Sequence, residues 1–380
     1  MKKKVILFML LGLLLSGCGT KRSSIENRIS LNAIPDCYEL NRNIFGEHAG
    51  RICKSGDLIA YSKYTYMHQN YSEDKTDGLY VRDESSGKTR KIADGIICGI
   101  VIRKDGIYYL KRSEKGEVFL YNYDLYRYTF HSRKNELIVK DCSFVQYSED
   151  AVFYCRQYLS NKELYIEYNM PLDLENEGKI VRHSLVTGEE KTVAETEGSI
   201  FNFLVTKNSI FYTAGEGNAF DGGRNLFMCN HDGEQKRKLT DCSDGCIKLL
   251  NADEESQEIL FYTRYSAIGG EKKNSGYSLM DYQTSAMVWE FFAKDLPDGV
   301  FGEPTFYRND LFFRSVDDIG ASNELLCISI GQERVSRCWT QDICTGLYVF
   351  NDKLYAVNLS DQLICVNTGD GTVCSDKTPQ

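Results

Sequence analysis

One segment returns seven times along this chain: a short run of apolar and aromatic residues entered through a polar turn. The copies read DLIAYSK, DGIYYLK, DAVFYCR, NSIFYTA, EILFYTR, NDLFFRS and NDKLYAV, anchored on Tyr61, Tyr109, Tyr154, Tyr212, Tyr262, Phe313 and Tyr355. A self-similar period of about 40 to 60 residues indicates stacked or radially repeated units rather than a single wound domain.

The second half of each unit repeats as well, as two short strands joined by a polar turn. These segments are LYVRDESSGKTRKI, LYRYTFHSRKNELIV, IVRHSLVTGEEKTV, LFMCNHDGEQKRKL, SLMDYQTSAMVWEF, LLCISIGQERVSRC and LICVNTGDGTVC. Five of the turns hold a glycine near the tip (Gly87, Gly188, Gly233, Gly331, Gly369), where a positive φ carries no steric cost. The turns around Lys134 and Thr284 do without one. A further apolar stretch precedes each of the last six anchors, beginning at Gly99, Phe144, Phe201, Ile247, Pro304 and Gly346. Inner strand, anchor strand and hairpin make four strands per unit, which is one propeller blade. The expected fold is all-β: a seven-bladed β-propeller of four-stranded antiparallel blades over residues 31–378. Its last outer strand is short (Thr372 to Cys374), so residues 31–45 are expected to pair with blade seven and join the two ends of the chain.

The first 30 residues follow a different logic. Lys2, Lys3 and Lys4 precede an apolar run from Val5 to Leu15, too short to span a bilayer as a helix but right for a secretory signal. The run ends Leu15-Ser16-Gly17-Cys18, which matches the bacterial lipobox. The expectation is a lipoprotein signal peptide over residues 1–17, a diacylglyceryl group on Cys18 and a lipidated tether over residues 18–30. Such a protein is exported and anchored to a membrane without spanning it.

Loss of residues 1–17 removes three lysines and no acids, so the formal charge of -9 becomes -12. An acidic exported domain is repelled by phosphate backbones, which argues against nucleic acid as a partner. The 25 Tyr and 19 Phe against only 5 Pro suit short pleated strands. Thirteen cysteines remain after Cys18, an odd number. Cys327 with Cys338, and Cys365 with Cys374, flank hairpin turns and are candidates for cross-strand bridges, subject to register.

Two stretches carry a resemblance. Asn225 to Cys242, NLFMCNHDGEQKRKLTDC, followed by IKLLNADEESQEILFYTRY from Ile247, resembles the exported propeller repeats of the TolB-like type and their relatives of unknown function. The last unit, KLYAVNLSDQLICVNTGDGTVC, is similar to the quinoprotein-like repeat of outer-membrane assembly lipoproteins. It lacks that family's closing tryptophan, and only Trp289 occupies a comparable hairpin position. The resemblance implies a rigid disc that binds proteins or glycans. It supplies no catalytic residue.

In such a disc the connections after second and fourth strands share one face, and those after first and third strands share the other. Here the connections that follow the anchors are long, and long loops on a stiff scaffold are where binding resides. They carry aromatics beside charges, and Tyr66, His68, Tyr158, Tyr165, Tyr168, Phe220 and Tyr265 are the candidate ligand-binding residues. Exposed tyrosine offers flat area with a polar tip, suited to protein surfaces and sugars alike. Cys98, Cys142, Cys246 and Cys344 open inner strands with acids ahead of three of them; as small packing residues they need no metal, and no metal site or cofactor is expected. HExxH, GxSxG, CxxC and phosphate-cradling motifs are absent. The expectation is a non-catalytic binding or scaffold module for an envelope protein or glycan. The alternatives are an envelope assembly factor, or a carbohydrate-active enzyme with Glu216, Asp221, Asp317 or Asp318 as its carboxylates.

Overall fold

A computed structural model describes residues 41, 50–63, 78–113, 123–159, 174–176, 178–215, 225–242, 245–265, 276–292, 305–314, 324–331, 337–340, 345–357 and 363–369. Every anchor lies in the second strand of an antiparallel blade. Blade one is Ile52–Ser55, Leu58–Lys63, Gly78–Asp83 and Lys88–Asp94, in that spatial order. Blades four, five and six repeat the order, with outer strands Arg237–Lys238, Ala286–Phe292 and Arg337–Thr340. Blades two and three share one continuous strand, Asn135–Tyr147. Its first part pairs with Tyr123–Thr129 and its last part with Ala151–Cys155. The left-handed residues Asp141 (φ 51°) and Phe144 (φ 48°) sit where the strand passes from one blade to the next. Blade seven shows Thr345–Phe350, Lys353–Val357 and Leu363–Asn367.

Six of the seven anchor aromatics are buried, and Tyr262 is half-buried, because each second strand is covered on both faces. In four blades the anchor stacks on the residue directly opposite in the third strand: Tyr61 on Tyr80, Tyr109 on Tyr126, Tyr212 on Phe227 and Tyr262 against Tyr277, with centroids 4.9–5.8 Å apart. Cross-strand aromatic pairs of this kind contribute roughly 0.2–1 kcal/mol each relative to an Ala–Ala pair. Between blades the packing is apolar and continuous: one cluster joins Tyr348, Tyr355 and Cys365 of blade seven to Ile52 and Tyr61 of blade one and to Tyr109 of blade two. The Tyr348 hydroxyl donates to the Lys54 carbonyl at 3.3 Å, and the Lys54 ammonium lies 5.3 Å from the Tyr355 ring centre, so blades seven and one are in direct contact.

The hairpin turns follow the expected chemistry. Gly87, Gly188, Gly233 and Gly331 have φ of 65°, 75°, 81° and 86°. The two turns without glycine use a strained residue instead, Arg133 at 55° and Ser285 at 60°. A second device recurs at the end of the third strand. Asp83, Ser184, Asn230 and Asp281 each accept backbone N–H bonds from the turn they open, at 2.7–3.3 Å. A third device is a bulge in the outer strand, which leaves Ile92, Ile138, Val193 and Val288 as the extra residues of blades one, two, three and five.

The cysteine bridge between Cys327 and Cys338 does not fit this register. Cys327 pairs with Arg337, and Cys338 with Leu326, so the two are offset by one residue rather than directly opposed. Cys374 lies outside the described residues, as do residues 1–30 and Thr372 to Cys374.

Of residues 31–45, only Asn41 is described, and it is bonded to blades three and four. Its side-chain amide makes a two-point pair with the backbone of Tyr147: Nδ2 donates to the Tyr147 carbonyl at 2.6 Å, and Oδ1 accepts from the Tyr147 N–H at 2.7 Å. Nδ2 also donates to the Val205 carbonyl at 3.0 Å, and Gln146 Nε2 donates to the Asn41 carbonyl at 3.3 Å. Tyr147 and Val205 end the inner strands of their blades, so one fully buried amide serves the inner edges of two adjacent sheets.

Two predictions follow from these contacts. An added Cβ at Gly188 meets nothing within 4 Å, whereas at Gly233 it meets the Val193 carbonyl of the adjoining blade at 2.2 Å. Gly188→Ala is expected to cost only the left-handed backbone penalty, about 1 kcal/mol. Gly233→Ala should cost clearly more, and equal losses in chemical denaturation would refute the contact. Asn41→Ala leaves buried backbone groups unsatisfied, worth about 1–3 kcal/mol. Asn41→Asp turns an oxygen toward two carbonyls and should melt lower still; melting at the wild-type temperature would show that Asn41 holds nothing together.

Candidate binding face

Each inner strand ends in a tight turn that leads into the second strand, so all these turns lie at one end of the ring. Residues 56–57, 104–105, 148–150, 206–208, 254–257, 308–309 and 351–352 make up this turn face, together with the hairpin turns after the third strands. The second strands run the other way and end at the opposite face. From there, residues 64–77, 113–122, 156–178, 215–224, 266–275, 315–323 and 358–362 lead to the third strands.

On the turn face several polar groups bond to neighbouring blades. The Arg103 guanidinium donates to the carbonyls of Ser148 at 2.7 Å and Glu149 at 2.6 Å, and stacks 5.4 Å from Tyr108 and 5.7 Å from Tyr147, which ties blade two to blade three. His231 of blade four lies 5.3 Å from the Phe153 ring of blade three. Glu254 of blade five accepts from the Asn208 backbone N–H at 2.8 Å and side-chain Nδ2 at 2.7 Å, tying it to blade four. The sequence holds no local signal for these braces, because their partners lie in adjacent units some 45 residues apart.

On the opposite face, the blade-three insertion begins as a hairpin. Gln157–Leu159 pairs with Leu174–Asn176, and Tyr158 stands opposite Glu175. Its far end closes at Gly178, which has φ 65° and accepts from the Thr196 N–H at 2.9 Å. A Cβ there would meet the carbonyls of Thr196 and Gly198 at 2.6 Å, so only glycine fits. Arg156, just before the insertion, is held by the Tyr154 hydroxyl at 3.0 Å and by Glu190 at 3.3 Å. Glu190 also accepts from Tyr154 at 2.6 Å. Burial raises the Glu190 carboxyl, but the Tyr154 bond together with Arg156 and His183 outweighs it and holds the group below its ordinary value.

The candidate residues divide as follows. Tyr158 lies in the first strand of the inserted hairpin, and Tyr265 ends the second strand of blade five, opposite Gly245. Tyr66, His68, Tyr165, Tyr168 and Phe220 lie outside the described residues, as do Glu216, Asp221, Asp317, Asp318 and Cys18.

Cys98 and Cys142 pack in the core. Cys142 is buried and Cys98 half-buried, and burial raises both thiols, Cys98 to about 11. Cys53 is pushed to about 12, and Cys229 to about 11. A thiolate ligand or nucleophile needs the opposite shift. Among the described residues no group of three His, Cys, Asp or Glu is placed to hold a metal ion. Cys344 lies outside them.

These shifts make the stability of the fold depend on pH in the alkaline range. Each thiol stays protonated in the native state well above its unfolded pKa of about 8.5, and burial likewise pushes Tyr108 to about 12. Stability is therefore fully present below about pH 8.5 and falls as pH rises toward 11–12, because the unfolded chain releases protons first. Denaturation midpoints at pH 8, 9.5 and 10.5 should fall in that order; a flat series would mean that these groups are not buried as described.

No family model matches the chain, and no curated protein matches it. Solved structures do. The acylaminoacyl peptidase of Pyrococcus horikoshii aligns with 91% of this chain and 54% of its own, at 11% identity and a TM-score of 0.56. A prolyl endopeptidase aligns with 92% of this chain and 53% of its own, at 12% identity and 0.55. The β-propeller domain of the Trilobed protease from Pyrococcus furiosus aligns over 88% of this chain and 98% of that domain, at 11% identity and 0.52. At such identities the likeness carries the fold alone: this chain is a seven-bladed β-propeller.

Proposed function

We propose that the protein is an exported, lipid-anchored propeller that works as a non-catalytic binding or scaffold module and presents its long-connection face to an envelope protein or glycan. Anchoring rests on the signal-like residues 1–17 and the lipobox ending at Cys18. The observation that carries the binding role is the contrast between the two faces. Cross-blade bonds engage several groups of the turn face, while the long connections, including the insertion that begins at Gln157, all leave from the other. Insertions beyond what a blade needs are usually functional.

The test has two arms. A binder isolated from envelope extract with the full-length protein should lose affinity for Tyr165→Ala and Tyr168→Ala by about thirtyfold, the usual cost of removing a buried interface aromatic. The turn-face variants Lys134→Ala and Glu189→Ala should leave it unchanged, and the reverse pattern would assign binding to the wrong face. Cys18→Ala should abolish fatty-acid labelling of a protein that still folds; retained label would remove the anchor.

A further inference from the structure

The anchor hydroxyls of the first three blades make the same kind of bond with different partners. Tyr61 is hydrogen-bonded to Thr89. Tyr109 donates to Asn135 at 2.9 Å, and Tyr154 donates to Glu190 at 2.6 Å. Each partner lies at the start of its blade's outer strand, so the bond ties the second strand to the fourth. A neutral group suffices for this in blades one and two. Blade three uses a carboxylate instead, and a carboxylate drawn partly out of water calls for a cation. Arg156 supplies it: Nη2 donates to the Tyr154 hydroxyl at 3.0 Å and to Glu190 at 3.3 Å, and the guanidinium lies 5.4 Å from the Tyr154 ring centre. His183 Nδ1 lies 3.5 Å from the Glu190 oxygen that Tyr154 bonds. Arg156 is also the residue from which the blade-three insertion departs, since Gln157 opens the first strand of the inserted hairpin. The chain returns at Gly178, whose carbonyl accepts from the Thr196 N–H at 2.9 Å and from its hydroxyl at 3.3 Å. Thr196 directly follows the outer strand Glu190–Glu195. Both ends of the insertion are therefore fixed to one strand, the departing end at its first residue and the returning end just past its last.

We propose that Arg156 is a positioning residue for the binding insertion: held by Glu190, it fixes the direction in which the hairpin of Gln157–Leu159 and Leu174–Asn176 leaves the blade, as Gly178 fixes its return. A guanidinium engaged by a hydroxyl, a carboxylate and a ring at once is confined to one geometry, which is what a directing residue requires. The role rests on the insertion being the partner's contact. There its effect is preorganisation, because a hairpin already held in one direction loses less freedom on binding than a loose one. The Arg156 and Glu190 side chains are 39% and 40% exposed, so solvent screens the pair and its influence is local to the hairpin rather than global.

Amide hydrogen exchange measures this without any partner. Full-length protein in detergent is followed by mass spectrometry in peptides that cover 157–159 and 174–176, with the blade-two segment 106–112 as internal control. Arg156→Gln and Glu190→Gln should each speed exchange in the hairpin peptides about fivefold, with the control segment and the melting temperature unchanged. Glu190→Gln keeps an acceptor for Tyr154 and so removes only the charge. The double variant should exchange no faster than the faster single one, because both changes break one contact. Arg156→Lys, which keeps the charge, should recover part of the protection. Unchanged exchange in either single variant overturns the proposal. So does an equal rise in hairpin and control, which marks a general loss of stability, and so does an Arg156→Lys variant as fast as Arg156→Gln. If exchange responds as expected while Tyr165→Ala and Tyr168→Ala leave affinity intact, the hairpin is positioned but the binding reading is wrong, so the two failures are told apart.

Discussion

A four-stranded sheet standing on edge has two apolar faces, and in this chain only a neighbouring blade on each side can cover them. The second strands show the demand directly: Ala151–Cys155 is buried at every position, and Leu58–Lys63 at all but its last. No blade satisfies that demand alone, so the ring has to close, and the last blade has to meet the first. The Tyr348–Lys54 bond and the Lys54–Tyr355 contact are where it does so, between residues about 300 positions apart. Closure also removes the inner faces of the sheets as sites of unwanted association. It leaves two kinds of edge, the outer strands at the rim and the inner strands around the axis.

Among the described residues, polar side chains join the inner edges of blades three, four and five. Asn41 pairs with Tyr147 as a strand residue would, through one donor and one acceptor, and the same nitrogen reaches Val205 of the next blade. Asn202 repeats the idea one step around the ring: its Nδ2 donates to the Leu249 carbonyl at 3.1 Å while Oδ1 accepts from Thr213. Buried amides of this sort stabilise when all their groups are used and cost heavily when one is lost. They make blades three, four and five a continuous unit at the axis. Arg103 and Glu254 extend that continuity over the turn face from blade two to blade five.

The parts of this architecture that were legible in the sequence are those with a short period. The anchors, the hairpins and the turn glycines announce themselves because alternation and turn chemistry act over a few residues. Tyr61 and Tyr80 stack because they stand opposite each other across one connection, and both were visible as strand residues. Contacts that join separate repeats left no such trace. Nothing within a few residues of Asn41 shows that its amide serves Tyr147, 106 positions on, or Val205, 164 positions on. The offset between Cys327 and Cys338 was hidden for a related reason, because spacing around a turn does not fix register until the turn's own geometry is known. The Asp83, Asn230 and Asp281 turns were within reach, since an Asp or Asn closing an apolar strand is a recognisable turn signal. Of the candidate binding residues, Tyr158 and Tyr265 have a place in a strand, and the character of their face rests on the connections around them.

A repeat protein also carries its own standard of comparison. Seven copies of one blade show what the fold requires at each position, so a departure by one copy needs a reason outside the fold. The bulge residue is apolar in all four blades where the bulge is seen, which makes it a structural requirement. Its exposure in blade five alone is not one. The connection after the second strand is likewise present in every blade, but only in blade three does it begin and end in a paired hairpin among the described residues, closed by a position where only glycine fits. Stability accounts for neither departure: an exposed apolar edge invites association, and a long insertion adds loop-closure entropy. The two departures lie on different surfaces of the propeller, the rim and the long-connection face.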